Sequence, residues 1–217
     1  GLAIIAAPYL IEQGGWHLVW QVGFGFSVFV CGLGWLFIPD DRSPMKRQFD
    51  LAALKLAIAL PLLAGIGLSF ALHSLLYHTL IHFMPLISQS LGGFSLAEGA
   101  IITGLFCAVN FFGNLIAGQA LQFGKKPAHI VRLVFSIVLI LLILLILFSQ
   151  SPILLVLVLI LTGLVSGGSA PIFFYLVSRA NDDPQNLPVF VAWVFQIQGL
   201  GMLVGPALIS WVVESTH

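Results

Sequence analysis

Residues 130–148 read IVRLVFSIVLILLILLILF, with Arg132 and Ser136 as the polar side chains and no glycine. A helix of that length rises about 28 Å, close to the ~30 Å hydrocarbon thickness of a bilayer. A helix on a soluble protein needs one polar face, and this segment has none. The rest of the chain agrees. Of its 217 residues, 59% are hydrophobic before the 22 glycines are counted, and mean hydropathy is +1.10. Charged residues make up 7%, where soluble domains carry about 25%. So few charges cannot cover the surface of a water-soluble domain. A soluble enzyme, a nucleic-acid-binding protein and a disordered chain are excluded. Barrel strands alternate apolar and polar over ~10 residues, whereas these apolar runs are continuous. The fold class expected is all-α integral membrane.

Charged and Gly/Pro-rich punctuation divides the chain. Residues 1–11 read as a partial span, Glu12-Gln13-Gly14-Gly15 as a tight turn and residues 16–38 as a full span that opens on Trp16 and Trp20. Residues 39–50 hold the densest charge. Two long spans, roughly 56–90 and 96–121, follow, the first admitting a bend at Pro61. Spans at 130–148, 153–177 and 188–213 complete the reading: six spans and a fragment of a seventh. The chain opens inside an apolar stretch with no basic n-region, so a signal peptide is not expected. A fragment that starts in the tail of a helix is.

The basic residues set the number of crossings. Arg42, Lys46, Arg47, Lys55, Lys125, Lys126, Arg132 and Arg179 all fall on one side if two spans separate Lys55 from Lys125. The opposite loops then contain no Lys or Arg. That is the positive-inside pattern, which puts the basic loops in the cytosol. Three spans would place Lys125, Lys126 and Arg179 on the wrong side.

Polar groups inside the spans are the candidate chemistry, because they are costly in hydrocarbon unless satisfied. His73, Tyr77, His78 and His82 form the richest cluster. At about 100° per residue, His78 and His82 share one face with Ser74, while His73 and Tyr77 share a second with Ser69. His73 and His78 stand about 140° apart, so the three histidines cannot converge on one metal from a straight helix. No carboxylate within a span completes a site. No metal and no cofactor are expected. Two readings of the cluster stay open: hydrogen bonding to neighbouring helices, or lining an aqueous pathway, with a proton relay through histidine. Thr103, Cys107, Asn110 and Asn114 form a stripe that serves as interhelical glue or cavity wall. Thr162, Ser166 and Ser169 form another, followed by Pro171 and Tyr175. A helix carrying Gly163, Gly167, Gly168 and Pro171 can bend, as discontinuous transporter helices do. Gly163-x-x-x-Gly167 and Gly201-x-x-x-Gly205 allow close backbone approach. Cys31 and Cys107 sit in apolar runs and suggest no disulfide framework.

Several motifs resemble those of the major facilitator superfamily. Phe83-Met84-Pro85-Leu86 followed by Leu91-Gly92-Gly93-Phe94-Ser95-Leu96-Ala97-Glu98-Gly99-Ala100 looks like the junction of its helices seven and eight. Gly113 through Gly118, then Gln122-Phe123-Gly124-Lys125-Lys126-Pro127, resembles the loop between helices eight and nine. Gln122 and Phe123 stand where the family pattern has Asp-Arg, and one residue is missing before Gly124. Gly14-Gly15-Trp16-His17-Leu18-Val19-Trp20 resembles the start of helix six. Ala7-Pro8-Tyr9-Leu10-Ile11 echoes Gly205-Pro206-Ala207-Leu208-Ile209, as equivalent helices five and eleven would.

The resemblance implies a chain running from the end of helix five through helix eleven. Residues 1–38 would close the N-terminal bundle, 39–52 form the cytoplasmic central loop and 53–217 the C-terminal bundle. It implies a secondary transporter of a small solute, a polar or organic anion or a drug-like compound, working by alternating access in a bacterial inner (plasma) membrane. His73, Tyr77, His78, Ser166, Ser169 and Tyr175 would line the solute cavity, with Asn110 and Asn114 as second choices. Gly118, Gly124, Lys125 and Lys126 would serve gating or orientation. Gly201, Gly205 and Pro206 would set close packing between the bundles. Expected partners are the bilayer, the solute, protons as an alternative coupling species, and N-terminal helices of the same protein. No nucleic acid is expected. The competing reading is a non-transporting anchor or assembly subunit, with a membrane-embedded enzyme third.

Overall fold

A computed structural model describes residues 2–38, 51–148, 150–180 and 183–216. Within them the chain is helical throughout: α1 (Leu2–Phe37), α2 (Leu51–Ala59), α3 (Pro61–Gly92), α4 (Leu96–Gln122), α5 (Pro127–Leu147), α6 (Pro152–Gly167), α7 (Ser169–Ser178) and α8 (Leu187–Thr216). Six of the described helical stretches are long and apolar enough to cross a membrane: Ala3–Phe37, Pro61–Gly92, Leu96–Gln122, Pro127–Leu147, Pro152–Ser178 and Leu187–Ser215. The central loop, with Arg42, Lys46 and Arg47, lies outside the described residues.

Each interruption has a local cause. In α1 the backbone leaves the helical region at Gly14 (φ −147°, ψ 17°) and Gly15 (φ 68°, ψ −174°). The positive φ at Gly15 is one that an L side chain rarely adopts. The break falls in the expected turn, and helical segments continue directly on both sides of it. Leu60 is extended (φ −84°, ψ 108°) and Pro61 opens α3, so the bend expected at Pro61 is a full break between α2 and α3. The start of α4 is a capping box. The Glu98 amide donates to Ser95 Oγ at 3.2 Å, and the Ser95 amide donates to Glu98 Oε2 at 2.8 Å. Its far end is a Schellman turn. Gly124 has φ 73°, its amide donates to Leu121 O at 3.1 Å, and the Lys125 amide donates to Ala120 O at 3.1 Å. Pro127 then opens α5.

Packing runs along two glycine ratchets. α3 packs most extensively on α8, and α4 on α6. A Cβ on Gly201 would run into the Ala71 carbonyl oxygen, and one on Gly205 would lie 2.6 Å from the Leu75 carbonyl oxygen. One turn earlier, a Cβ on Gly67 would lie 2.7 Å from Ile197 Cδ1. Residue numbers on both helices rise together in steps of one turn, so α3 and α8 are parallel. The α4–α6 pair repeats the device. A Cβ on Gly163 would lie 2.6 Å from the Phe106 carbonyl oxygen, one on Gly167 would strike the Asn110 carbonyl oxygen, and one on Gly113 the Leu164 carbonyl oxygen. These two helices are parallel as well. Parallel α4 and α6 make α5 antiparallel to both, and the two membrane-length helices between Lys55 and Lys125 are α3 and α4. Gly201 and Gly205 therefore pack α8 against α3. The expectation that they join two bundles is corrected, since the carbonyls they meet belong to α3.

Buried apolar side chains gather towards both ends. One cluster joins Ala57, Phe70, Phe173, Val177 and Phe190, and another joins Leu80, Met84, Phe106, Leu155 and Leu159. Lys55 lies two residues from Ala57 and Arg179 two from Val177. Ala117, Val134 and Ile172 pack together beside Leu121, Ile130 and Leu176, next to Lys125, Lys126 and Arg132. The described basic residues thus share one end of the bundle. α5 buries a single stripe, Val134, Val138 and Leu141, and leaves Leu139, Ile140, Ile143 and Ile146 outward. That is how a helix meets lipid on one side.

Candidate functional site

Polar side chains from α3, α4, α6, α7 and α8 converge on a cavity of about 160 Å³ in the middle of the bundle. α3 supplies the broadest wall. His73, Ser74, Tyr77 and His78 occupy adjacent rows of its surface, spanning about 140°. Opposite them, α6 and α7 meet at Gly168. Pro171 has no N–H, so the Gly167 carbonyl loses its partner in the helical ladder. The Gly168 amide instead donates to Val165 O at 3.1 Å, a tighter turn. The residues flanking this interruption, Ser166, Gly167, Ser169 and Ala170, all line the cavity. Asn110 and Asn114 from α4 and Gln198 from α8 complete it.

Hydrogen bonds fix how the groups are presented. Ser169 Oγ lies 2.7 Å from the Ser166 carbonyl oxygen and 2.7 Å from His73 Nε2. A carbonyl only accepts, so the hydroxyl proton goes to Ser166, and the His73 Nε2–H donates to Ser169 Oγ. His73 Nδ1 is then its acceptor. His78 Nδ1 lies 2.9 Å from Ser74 O and must donate to it; in the neutral imidazole Nε2 is then the acceptor. Gln198 Nε2 donates to Ser74 Oγ at 2.9 Å, so the Ser74 hydroxyl proton remains to be donated. Asn110 Nδ2 donates to the Gly163 carbonyl oxygen at 3.2 Å, tying α4 to α6. Asn114 Nδ2 donates within α4, to Asn110 O at 3.0 Å and Asn110 Oδ1 at 3.2 Å. The Tyr77 ring is held between His73 and Phe106, with centroids 5.9 Å and 5.3 Å away. The result is a mixed set of donors and acceptors beside the Phe70 and Tyr77 rings. No Asp, Glu, Lys or Arg is among the lining residues.

Seven of the eight residues selected from sequence as cavity lining come together here: His73, Tyr77, His78, Asn110, Asn114, Ser166 and Ser169. Tyr175 does not. It lies towards the basic end of α7, where the Arg179 guanidinium sits 5.4 Å from its ring centroid. Phe70, Ser74, Gly167, Ala170 and Gln198 line the cavity as well and lie outside the set selected from sequence. A mid-span amide at position 198 was a signal for the last of these. His82 is exposed and donates from Nδ1 to the His78 carbonyl oxygen at 2.7 Å. Among the described residues no group of three or more His, Cys, Asp or Glu could hold a metal ion. Of the residues assigned to gating or packing, Gly124 holds its positive φ and Lys125 and Lys126 are exposed. A Cβ on Gly118 would meet nothing within 4 Å, so close packing does not require that glycine. Pro206 lies inside α8, one residue past Gly205.

The profile of the Major Facilitator Superfamily matches residues 1–206. The chain belongs to the major facilitator superfamily. No curated protein and no solved structure shows a significant match to it. Membership places the chain among multi-pass membrane transporters. It also accounts for the six apolar helices and for the outward apolar face of α5.

Proposed function

We propose that the cavity between α3, α4, α6/α7 and α8 is the solute-binding wall of a secondary carrier that works by alternating access. The observation that carries this reading is the coincidence of two features: polar side chains from five helices converge where the α6–α7 helix is interrupted. Discontinuous helices at mid-membrane are how carriers expose backbone and side-chain polar groups to a substrate. The solute class favoured is a small neutral polar organic compound with an apolar or aromatic part. Hydroxyl, amide and imidazole groups can recognise it, and no Lys or Arg lines the cavity to hold an organic anion by a permanent charge. A cavity of about 160 Å³ is below the ~300 Å³ of a full ligand pocket. It therefore supplies one side of the site, with the rest from an N-terminal bundle that α1 would close and the 39–52 segment would join to this one. The imidazoles of His73 and His78 are the groups through which a proton would be coupled.

The shared end of Lys55, Lys125, Lys126, Arg132 and Arg179 supports a cytosolic placement of that end. Flux of a panel of neutral and anionic solutes into proteoliposomes, with full-length protein and with His78→Ala and Gln198→Ala, tests the proposal. Expected is at least a ten-fold loss of flux in both variants with unchanged folding. Undiminished flux in both would overturn the site. Flux restricted to anions would overturn the solute class.

A further inference from the structure

A second concavity among the described residues is larger than the polar one. A groove of about 670 Å³ runs between α4, α5 and α6, and its chemistry is graded along its length. Gly113, Ala117 and Ala120 leave the gap on the α4 side, and Ile130, Leu133 and Ile137 wall it on the α5 side. Lys125, Lys126 and His129 stand at one end. No acidic residue lines the groove, and none stands in the first turn of α5. From Lys126 to Ile137 the α5 axis rises about 16 Å, roughly half the ~30 Å hydrocarbon core. The basic mouth therefore sits at headgroup level, and the apolar part reaches about one leaflet deep.

We infer that this groove binds an anionic phospholipid of the leaflet at the basic end, its phosphate held by Lys125 and Lys126 and one acyl chain lying along Ile130, Leu133 and Ile137. A basic pocket between membrane helices is the arrangement that selects anionic headgroups. Charge and depth point to the same occupant. A water-soluble anion has no use for an apolar slot one leaflet deep, and a zwitterionic lipid sets its own cation against the paired ammonium groups, whereas an anionic lipid brings net negative charge. Of the small α4 residues that open the slot, Gly113 also serves the α4–α6 contact and Ala117 packs against Val134 and Ile172, while Ala120 stands nearer the basic mouth. The inference does not depend on the polar cavity being a solute site.

The test uses full-length protein in phosphatidylcholine bilayers doped with phosphatidylglycerol. After gentle detergent extraction, the lipid retained per protein is read by native mass spectrometry. Preferential retention of phosphatidylglycerol is expected. The K125Q/K126Q double variant, which changes exposed side chains only, should lower its affinity about thirty-fold, at roughly tenfold per 1.4 kcal/mol and ~1 kcal/mol per cation. Ala120→Phe fills the groove without changing charge and should abolish retention. Excess inorganic phosphate should not displace the lipid. Equal retention of the two lipids, or unchanged retention in K125Q/K126Q, would overturn the headgroup assignment. Displacement by phosphate, or full retention in Ala120→Phe, would overturn the groove as the seat of the chain.

Discussion

Gly199 and Gly201 sit two residues apart on α8 and should respond to alanine in opposite ways. A Cβ at Gly199 would meet nothing within 4 Å. There the change removes a flexible residue from a helix interior and gains up to about 1 kcal/mol. At Gly201 the same methyl would be driven into the Ala71 carbonyl, with the carbonyl carbon 2.7 Å and Ala71 Cα 2.9 Å away. Carbon contacts relax near ~3.5–4 Å, so α8 must retreat from α3 by about 1 Å. Overpacking of this kind costs about 1–3 kcal/mol. The helix gain is common to both, so the two variants should differ in stability by the overpacking cost, about 1–3 kcal/mol. The displacement also has a functional consequence. Gln198 donates to Ser74 across this interface at 2.9 Å, and a shift of about 1 Å exceeds hydrogen-bond range. Solute binding should thus fall in Gly201→Ala and not in Gly199→Ala. The assay is unfolding of purified full-length protein in one membrane mimetic, followed by flux. A Gly201→Ala protein as stable as Gly199→Ala would refute the close approach of α3 and α8.

Other substitutions separate the remaining parts of the account. Ser169→Ala leaves the buried His73 N–H without its acceptor and should destabilise by about 1–2 kcal/mol. A double-mutant cycle with His73→Phe should show coupling near 1 kcal/mol, read from unfolding midpoints. Ser95→Ala removes the capping box of α4 and should cost about 1 kcal/mol in the same assay without altering solute affinity. Tyr175→Phe, outside the cavity, should leave flux within two-fold of wild type by the order-of-magnitude standard for surface changes, whereas Tyr77→Ala should abolish it.

The helices were legible because the bilayer imposes length and apolarity together, and no soluble pattern satisfies both. Pro61 and the Gly168–Pro171 stretch announced their breaks, since a missing N–H acts wherever the helix sits. The polar cavity was legible through His73, Ser166 and Asn110, because a polar group at mid-span must find a partner. What it faces depends on helix rotation, which sequence does not fix. Tyr175 shows the difference. It lies six residues past Ser169, about 120° round the helix, and its ring turns to Arg179. Gln198 is hidden for the same reason: it shares its apolar run with Gln196, and an amide there reports depth and not direction. The glycine pairs were readable as points of close approach. Their partners, Ala71 for Gly201 and Asn110 for Gly167, follow only from which helices lie side by side.

The central claim is that the cavity is open to water at mid-membrane. Reaction of a single cysteine with a charged, membrane-impermeant methanethiosulfonate tests it most directly. In a protein with Cys31 and Cys107 replaced, Asn114→Cys places the thiol on the cavity wall, and Leu139→Cys places it on the outward face of α5. Asn114→Cys should be labelled in the folded, membrane-embedded protein and Leu139→Cys should not. An Asn114→Cys protein as inert as Leu139→Cys would mean that no aqueous site lies between these helices.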